Sequence, residues 1–368
     1  MKVLIICNST TGLVKFRGML IQELINKGNI VKAIVPSSNE KKEHDARHRV
    51  NKMQCDLVTV PIERRGLNLL KDLILSLRYK RIIKKEKPDL IITYTIKPNI
   101  YGGIICRILG IPYITNITGL GTAFQKGEML KQLVILLYKI ALKRAKIVFF
   151  ENNEDRNMIV TKGIVSKSKT YVLAGAGVDL VHFSYKKYPE DNEKTRFLFI
   201  GRVMQEKGID ELFQAMTKLN QEGYRCSLDV LGGYEENYSE DIAKCEREGW
   251  LNYHGYQEDV RPFIENCHCF VLPSWHEGMA NTNLESAAMG RPVITSDIHG
   301  CLESVENETT GYLCKKKDSD DLYQRMKNFI ELSYEERKSM GIAGRKRMEE
   351  IFDKRAVVKN TIDFLYKE

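Results

Sequence analysis

Phe197-Leu198-Phe199-Ile200-Gly201-Arg202-Val203-Met204-Gln205-Glu206-Lys207-Gly208 sets a short apolar run against a glycine, two cations and a second glycine. The run reads as a strand buried on both faces, the loop as a strand-to-helix turn, with the next helix beginning beside Lys207. Four more such runs follow: Ser227 to Gly232, Leu251 to Gly255, Phe270 to Pro273 and Val293 to Ser296. An earlier series has the same rhythm: Val3 to Asn8, Ile30 to Pro36, Leu57 to Ile62, Leu90 to Thr95, Tyr113 to Thr118, Ile147 to Glu151 and Tyr171 to Ala174. Apolar runs alternating with segments of helical period are βα units on parallel sheets, and here the pattern starts twice.

Between the two series lies Tyr185-Lys186-Lys187-Tyr188-Pro189-Glu190-Asp191-Asn192-Glu193-Lys194, polar and nearly free of aliphatic residues, which reads as a linker. The expected division is residues 1–178 and 195–350, with the boundary near Gly177 to Lys194. A last helix, about 353–368, has no strand after it and is expected to pack back on the first domain. The fold class is α/β, two Rossmann-like doubly wound domains facing across a cleft at the carboxyl ends of their strands, where such sheets bind ligands.

The bulk composition fits this size. The chain has 368 residues, 43% apolar and 29% charged, with a formal net charge of +9. That balance argues against disorder and favours anionic partners without naming one. Nine scattered cysteines suit a reducing cytosol. Cys267-His268-Cys269 lacks a second pair at ligand spacing and opens an apolar run, so no metal is assigned. The apolar start after Met1 is too short for a leader, and no run is long enough to span a bilayer. A cytoplasmic protein is expected, soluble or peripheral at the inner face of the cytoplasmic membrane.

The sharpest chemical segment follows the strand at Phe270: Ser274-Trp275-His276-Glu277-Gly278-Met279-Ala280-Asn281-Thr282-Asn283-Leu284-Glu285-Ser286-Ala287-Ala288-Met289-Gly290. Glu277 lies on the loop, Gly278 permits close backbone approach, and a helix is expected from about Asn281 to Gly290. The amides of Ala280, Asn281 and Thr282 would then offer an anion site at the positive helix end, with Glu285 one turn inside to accept bonds from a diol. Arg202 and Lys207 sit at the neighbouring strand end, where a fork and a point charge suit two phosphates. Each charge alone would be ordinary surface; their shared sheet edge points to a ligand. Asn8-Ser9-Thr10-Thr11-Gly12 could present amides to phosphate from the first domain. Asn116-Ile117-Thr118-Gly119-Leu120-Gly121-Thr122-Ala123-Phe124 could wall a sugar or acceptor pocket. No G-x-G-x-x-G or P-loop pattern occurs.

Taken together, these residues resemble the retaining glycosyltransferases of family 4, of GT-B fold, and in particular the bacterial capsule, O-antigen and glycan-assembly enzymes. The resemblance covers nearly the whole chain. It rests on Glu277 and Glu285, on Gly201-Arg202 with Lys207-Gly208, on Gly175-Ala176-Gly177-Val178-Asp179 with Phe183, and on Ser296-Asp297 with Gly300-Cys301. It implies that Arg202 and Lys207 hold the donor diphosphate, Glu285 the ribose and Glu277 the donor sugar. Gly201, Gly278, Met279, Ala280, Asn281 and Thr282 would line the donor site, and Gly12 its far phosphate side. Thr118, before Gly119, stands where many relatives carry a histidine, so that histidine's role does not transfer. The implied donor is a UDP-sugar, N-acetylhexosamine or related, and the implied acceptor is a glycan or a polyprenyl-diphosphate-linked glycan. Since Arg202, Lys207 and the helix terminus could stabilise the diphosphate and no Asp-x-Asp motif suggests itself as a metal clamp, no metal or other cofactor is expected.

Two basic amphipathic segments, Leu67 to Lys87 and Met129 to Lys146, suit an anionic membrane surface as a further partner. In the second, Leu133, Val134, Leu136, Leu137, Ile140 and Ala141 are expected to face the core. Nucleic acid is a poor fit, because the basic residues are not grouped with aromatics. The rivals are a UDP-sugar 2-epimerase and a non-catalytic nucleotide-sugar-binding protein.

Overall fold

The strand runs resolve into two parallel sheets. In this computed structural model residues 1–38, 40–63, 68–120, 128–190 and 194–366 are described. Residues 121–124 of the glycine-bearing loop, 191–193 of the polar stretch and 67 at the head of the first basic segment lie outside them. The chain divides into two units, Met1–Ala176 joined by the segment from Arg355 onward, and Gly177–Lys354.

In the first unit β1 (Lys2–Ile6), β2 (Ile30–Pro36), β3 (Asp56–Val60), β4 (Leu90–Tyr94), β5 (Tyr113–Ile117), β6 (Ile147–Phe150) and β7 (Thr170–Val172) lie in the order β3-β2-β1-β4-β5-β6-β7. Every neighbouring pair is parallel. The central strands are buried end to end because helices cover both faces. Leu75, Tyr79 and Ile83 of the helix Leu69–Glu86 share one core with Ile105 of Gly103–Leu109 and with Val134, Tyr138 and Leu142 of Glu128–Leu142. On the other face Leu20, Ile21 and Leu24 pack with Val50 and with Val358 and Ile362 of the final helix, Lys354–Leu365. Phe364 of that helix stacks on Tyr171, ring centroids 4.1 Å apart.

One expectation is corrected here. In the helix Glu128–Leu142 the buried stripe is Val134, Tyr138, Ala141 and Leu142, while Leu133, Leu136 and Ile140 are exposed. Apolar residues occupy nearly every turn of this helix, so its period alone could not say which stripe meets the sheet.

In the second unit β8 (Thr195–Ile200), β9 (Cys226–Leu231), β10 (Leu251–Gly255), β11 (Cys269–Leu272), β12 (Val293–Ser296) and β13 (Gly311–Cys314) run β10-β9-β8-β11-β12-β13, again all parallel. The edge strand β13, only four residues long and opened by a glycine, was not foreseen. The strand order reverses between β8 and β11, and crevices form at such reversals.

The polar stretch at Tyr185 is no free linker. Arg291 is fully buried, and its guanidinium donates to the carbonyls of Ile264 (2.9 Å), Glu265 (2.8 Å), Lys186 (3.0 Å), Lys187 (3.0 Å) and Met289 (3.0 Å). The Tyr188 hydroxyl donates to the carbonyl of His268 at 2.9 Å. A planar fork of five N–H groups needs carbonyls from several segments, and 186–187 supply two of them.

Candidate active site

The site grows from the ends of β8 and β11. Beyond β8, the Val203 amide donates to Gly233 O at 3.0 Å, and a short turn, Gln205–Lys207, brings the chain to Gly208. Gly208 has φ +73°, and a Cβ there would overlap the Pro273 carbonyl at the end of β11. Only glycine fits both the left-handed backbone and the contact. Lys207 is thereby held against the β11 loop, and its Nζ forms an ion pair with Glu277 Oε1.

Glu277 is positioned from three sides. Ser274 Oγ donates to the same Oε1 at 2.9 Å. Gly300, at φ +89°, lies beneath the loop so closely that a Cβ would come within 2.5 Å of Glu277 O. Trp275 fastens the loop's start: its amide donates to Glu206 O (2.9 Å), its Nε1 to Glu211 Oε1 (3.0 Å), and Lys317 Nζ stands 3.9 Å from its ring centroid. Both contacts to the Glu277 carboxylate fall on Oε1, and Oε2 takes no bond from the described protein. Cys301, buried beside this pair, has its thiol pushed well up, first by burial and then by the Glu277 charge, so it stays protonated.

The helix after the loop is Asn281–Ala288, with Ala280 at its N-cap. Of the three amides expected to be open, that of Ala280 donates to Gly300 O (2.6 Å) and that of Asn281 to Met279 O (2.9 Å). Thr282 alone of the three is not committed to either of these carbonyls. Fewer amides are open at this helix end than the sequence suggested, because the loop after β12 caps part of it. Met279 is buried beneath it, Gly278 is half-buried, and Glu285 is buried with 5% of its surface exposed. Arg202, beside Gly201, is about half exposed and meets Glu235 Oε2 at 3.3 Å.

Gly201, Arg202, Lys207, Glu277, Gly278, Met279, Ala280, Asn281, Thr282 and Glu285 thus belong to one unit. Gly12, Thr118 and Gly119 belong to the other. There the turn after β1 is already engaged: Thr10 N donates to Glu43 Oε2 (2.8 Å) and Gly12 N to Ser9 Oγ (3.0 Å). Glu43, fully buried, also accepts from Ser9 Oγ (3.2 Å) and Thr11 Oγ1 (3.1 Å). These two amides are therefore held by the protein's own side chains, contrary to the expectation that they face a phosphate. Thr118 follows β5, and Gly119 takes φ +125°.

Sequence reasoning missed the Lys207–Glu277 pair, the Trp275 anchor and the Glu43 staple. Trp275 carried a visible signal, a large aromatic inside a polar loop. The other two depend on residues 70 and 33 apart in sequence. His268 is structural, with Nδ1 accepting from Arg196 N at 2.9 Å. No three His, Cys, Asp or Glu among the described residues are arranged to hold a metal.

Residues 182–347 match the family described as glycosyl transferases group 1, and residues 2–152 match glycosyl transferase 4-like. A Campylobacter jejuni N,N'-diacetylbacillosaminyl-diphospho-undecaprenol alpha-1,3-N-acetylgalactosaminyltransferase is 24% identical over 348 residues, 90% of each chain. The Staphylococcus aureus capsular polysaccharide biosynthesis glycosyltransferase CapM is 27% identical over 80% of each. In architecture the chain is similar to Anabaena HepE, solved in complex with UDP and glucose, at a TM-score of 0.80 and 17% identity over 99% of both chains. With family matches in both halves and two parallel Rossmann-like sheets, the chain belongs to the group 1 and 4-like glycosyl transferases, enzymes of the GT-B fold.

Proposed function

We propose that the protein transfers a sugar from a UDP-sugar, an N-acetylhexosamine or a relative of it, onto a polyprenyl-diphosphate-linked glycan in bacterial surface polysaccharide synthesis, with retention at the anomeric carbon. The carrying observation is the half-engaged Glu277: Lys207 and Ser274 hold Oε1, and Oε2 stays open to accept from a sugar hydroxyl. In this reading Lys207 and Arg202 hold the diphosphate leaving group, and fixed cations there would stabilise the transition state without reorganising. The acceptor hydroxyl forms its bond to the anomeric carbon as the carbon–oxygen bond to the diphosphate breaks. Its proton passes to the departing phosphate oxygen, so no carboxylate is needed as nucleophile. Glu285 would hold the ribose. The UDP and glucose in the Anabaena structure support the donor, and the lipid-linked substrate in the Campylobacter relative's name supports the acceptor and the amino sugar.

The test is nucleotide release from a panel of UDP-sugars with and without a polyprenyl-diphosphate-linked acceptor, followed by the anomeric configuration of the product. Release that depends on acceptor supports transfer. A C2-epimerised sugar, or tight donor binding with no release under any condition, would replace the proposal with one of its rivals.

A further inference from the structure

The first sheet has a reversal of its own. Its strand order turns back between β1 and β4, and open parallel sheets take ligands outside the carboxyl ends of the strands that flank such a point. Two π-helical turns leave from those ends, Leu13–Arg17 after β1 and Pro98–Gly102 after β4. Turns of this kind are rare and recur at functional sites. Directly after β4 stands Thr95, a β-branched residue held at φ +73°, where threonine is strained.

Arg17 ends the first of these turns and reaches across the sheet. Its guanidinium lies 4.5 Å from the ring centroid of Tyr94, and its Nη2 donates to Glu151 Oε1, just past β6, at 2.7 Å. Strand β5 runs between β4 and β6, with Asn116 in register with Tyr94 on one side and Phe149 on the other. Register neighbours in a parallel sheet project to the same face, so Asn116 stands on the face that Arg17 crosses.

Arg17, Glu151 and Asn116 are 8%, 5% and 1% exposed, yet none has its bonding capacity filled. Of the five N–H donors of the Arg17 guanidinium, one group is bonded among the described residues, to Glu151. Glu151 Oε2 takes no bond from the described protein, and Asn116 Oδ1 is buried without a partner. Arg291, also buried, spends its guanidinium on carbonyls instead. Proteins pair their buried polar groups, so three partly used ones on one face of one sheet call for a ligand.

The chemistry of that ligand follows from what is left over. Arg17 and Glu151 neutralise each other, so the cluster has little net pull on an anion. It offers spare N–H donors beside two acceptor oxygens, and adjacent hydroxyls of a sugar ring, each able to donate and accept, match both. A phosphate would meet the donors and leave the acceptors unpaired.

We infer that Arg17, Asn116 and Glu151 form a saccharide subsite in the first unit, which grips neighbouring hydroxyls of the sugar that receives the transferred residue. That this sugar is the acceptor rests on the transferase reading above; the binding of a saccharide does not. Arg17 and Glu151 hold each other as well as the sugar, whereas Asn116 is kept for the ligand alone.

Saturation-transfer NMR of the full-length protein with the methyl glycosides of glucose, galactose and their 2-acetamido counterparts reads the binding directly. Acceptor KM is measured with polyprenyl-diphosphate-linked acceptors carrying the same sugars. Asn116→Ala removes a group that has no partner in the protein, so it is expected to keep or raise the melting temperature while it erases the glycoside signal and raises acceptor KM by about tenfold. Glu151→Gln is expected to raise acceptor KM by a similar factor, with UDP affinity by calorimetry within about twofold of wild type in both variants. No glycoside signal from wild type, or an acceptor KM unchanged in both variants, overturns the inference. A lower melting temperature for Asn116→Ala with KM unchanged would also overturn it, by making the cluster structural. Inorganic phosphate that displaces the glycosides at equal concentration would replace it with an anion site, and an equal loss of UDP affinity would move the residues to the donor. Glycoside binding that the variants lose, without transfer from any nucleotide sugar, keeps the subsite and removes the transferase reading.

Discussion

Gly208 and Pro273 lie so close that the loop after β8 cannot carry a side chain where it crosses the end of β11, and this contact sets the height at which Lys207 meets Glu277. Replacing Gly208 by alanine adds left-handed backbone strain, about 1–2 kcal/mol, to an overlap with a backbone oxygen that cannot swing aside. The expected result for Gly208→Ala is a melting temperature lowered by several degrees together with a loss of donor turnover out of proportion to it. Thermal unfolding beside nucleotide release checks both, and wild-type turnover would show that the contact does not position the site.

Lys207→Ala and Glu277→Gln should each reduce kcat by about 100-fold or more, in the range for one preorganised electrostatic contact. Since the two side chains bond each other, the double variant is expected to lose clearly less than the product of the single losses. Steady-state kinetics on the four proteins of the cycle decide it. Strictly multiplicative losses would mean that the ion pair does not act as a unit.

Arg291→Ala is expected to destabilise the second unit by about 3–5 kcal/mol, the scale for breaking a buried, fully hydrogen-bonded charge. Burial holds this guanidinium below its usual range, yet no carboxylate is needed, because backbone carbonyls take all of its donors. Arg291→Lys, with three donors in place of five, should recover only part of the loss. Urea unfolding followed by Trp250 and Trp275 fluorescence reads this unit alone, since both tryptophans of the chain lie within it.

Part of the chain's acid sensitivity should come from Glu86 in the first unit. Hydrogen bonds from Lys2 and then from Lys32 hold the Glu86 carboxyl below its usual range. A carboxyl depressed in the folded state contributes stability at pH values above its unfolded pKa and loses it as pH falls through the folded value. Urea midpoints are therefore expected to drop between about pH 5 and pH 3, and Glu86→Gln to be less stable at neutral pH but with a shallower acid slope. Equal slopes for the two proteins would assign the acid response to other groups.

The architecture was legible because central parallel strands, buried on both faces, leave apolar runs such as Val3 to Ile6, Leu90 to Tyr94 and Phe270 to Leu272, and the more mixed edge strands at Asp56 and Leu251 still kept the spacing of the series. Gly311-Tyr312-Leu313-Cys314 was missed, being short, glycine-led and at an edge. The candidate site segments could be placed at one sheet edge because Arg202, Lys207 and Glu277 follow strand ends and Glu285 lies in the helix after the second of these loops. Which amide bonds which carbonyl was not legible: Ala280 N finds Gly300 O across twenty residues, and Glu43 reaches Thr10 N across thirty-three. The helix around Leu136 was misread for a different reason. Period identifies a stripe only where the other stripes are polar, and this helix is apolar on the side that leaves the core as well.

The pairing of Lys207 with Glu277 also bears on selectivity. If these residues hold the donor, as proposed, a cation and a carboxylate that satisfy each other offer little net attraction to a stray anion. Inorganic phosphate can claim Lys207 only by breaking its ion pair with Glu277, which would then keep Ser274 alone. A ligand that brings an anion and a hydroxyl donor on one framework replaces both halves of the bond at once, so free phosphate should be a poor competitor of the donor even at the concentrations found in cells.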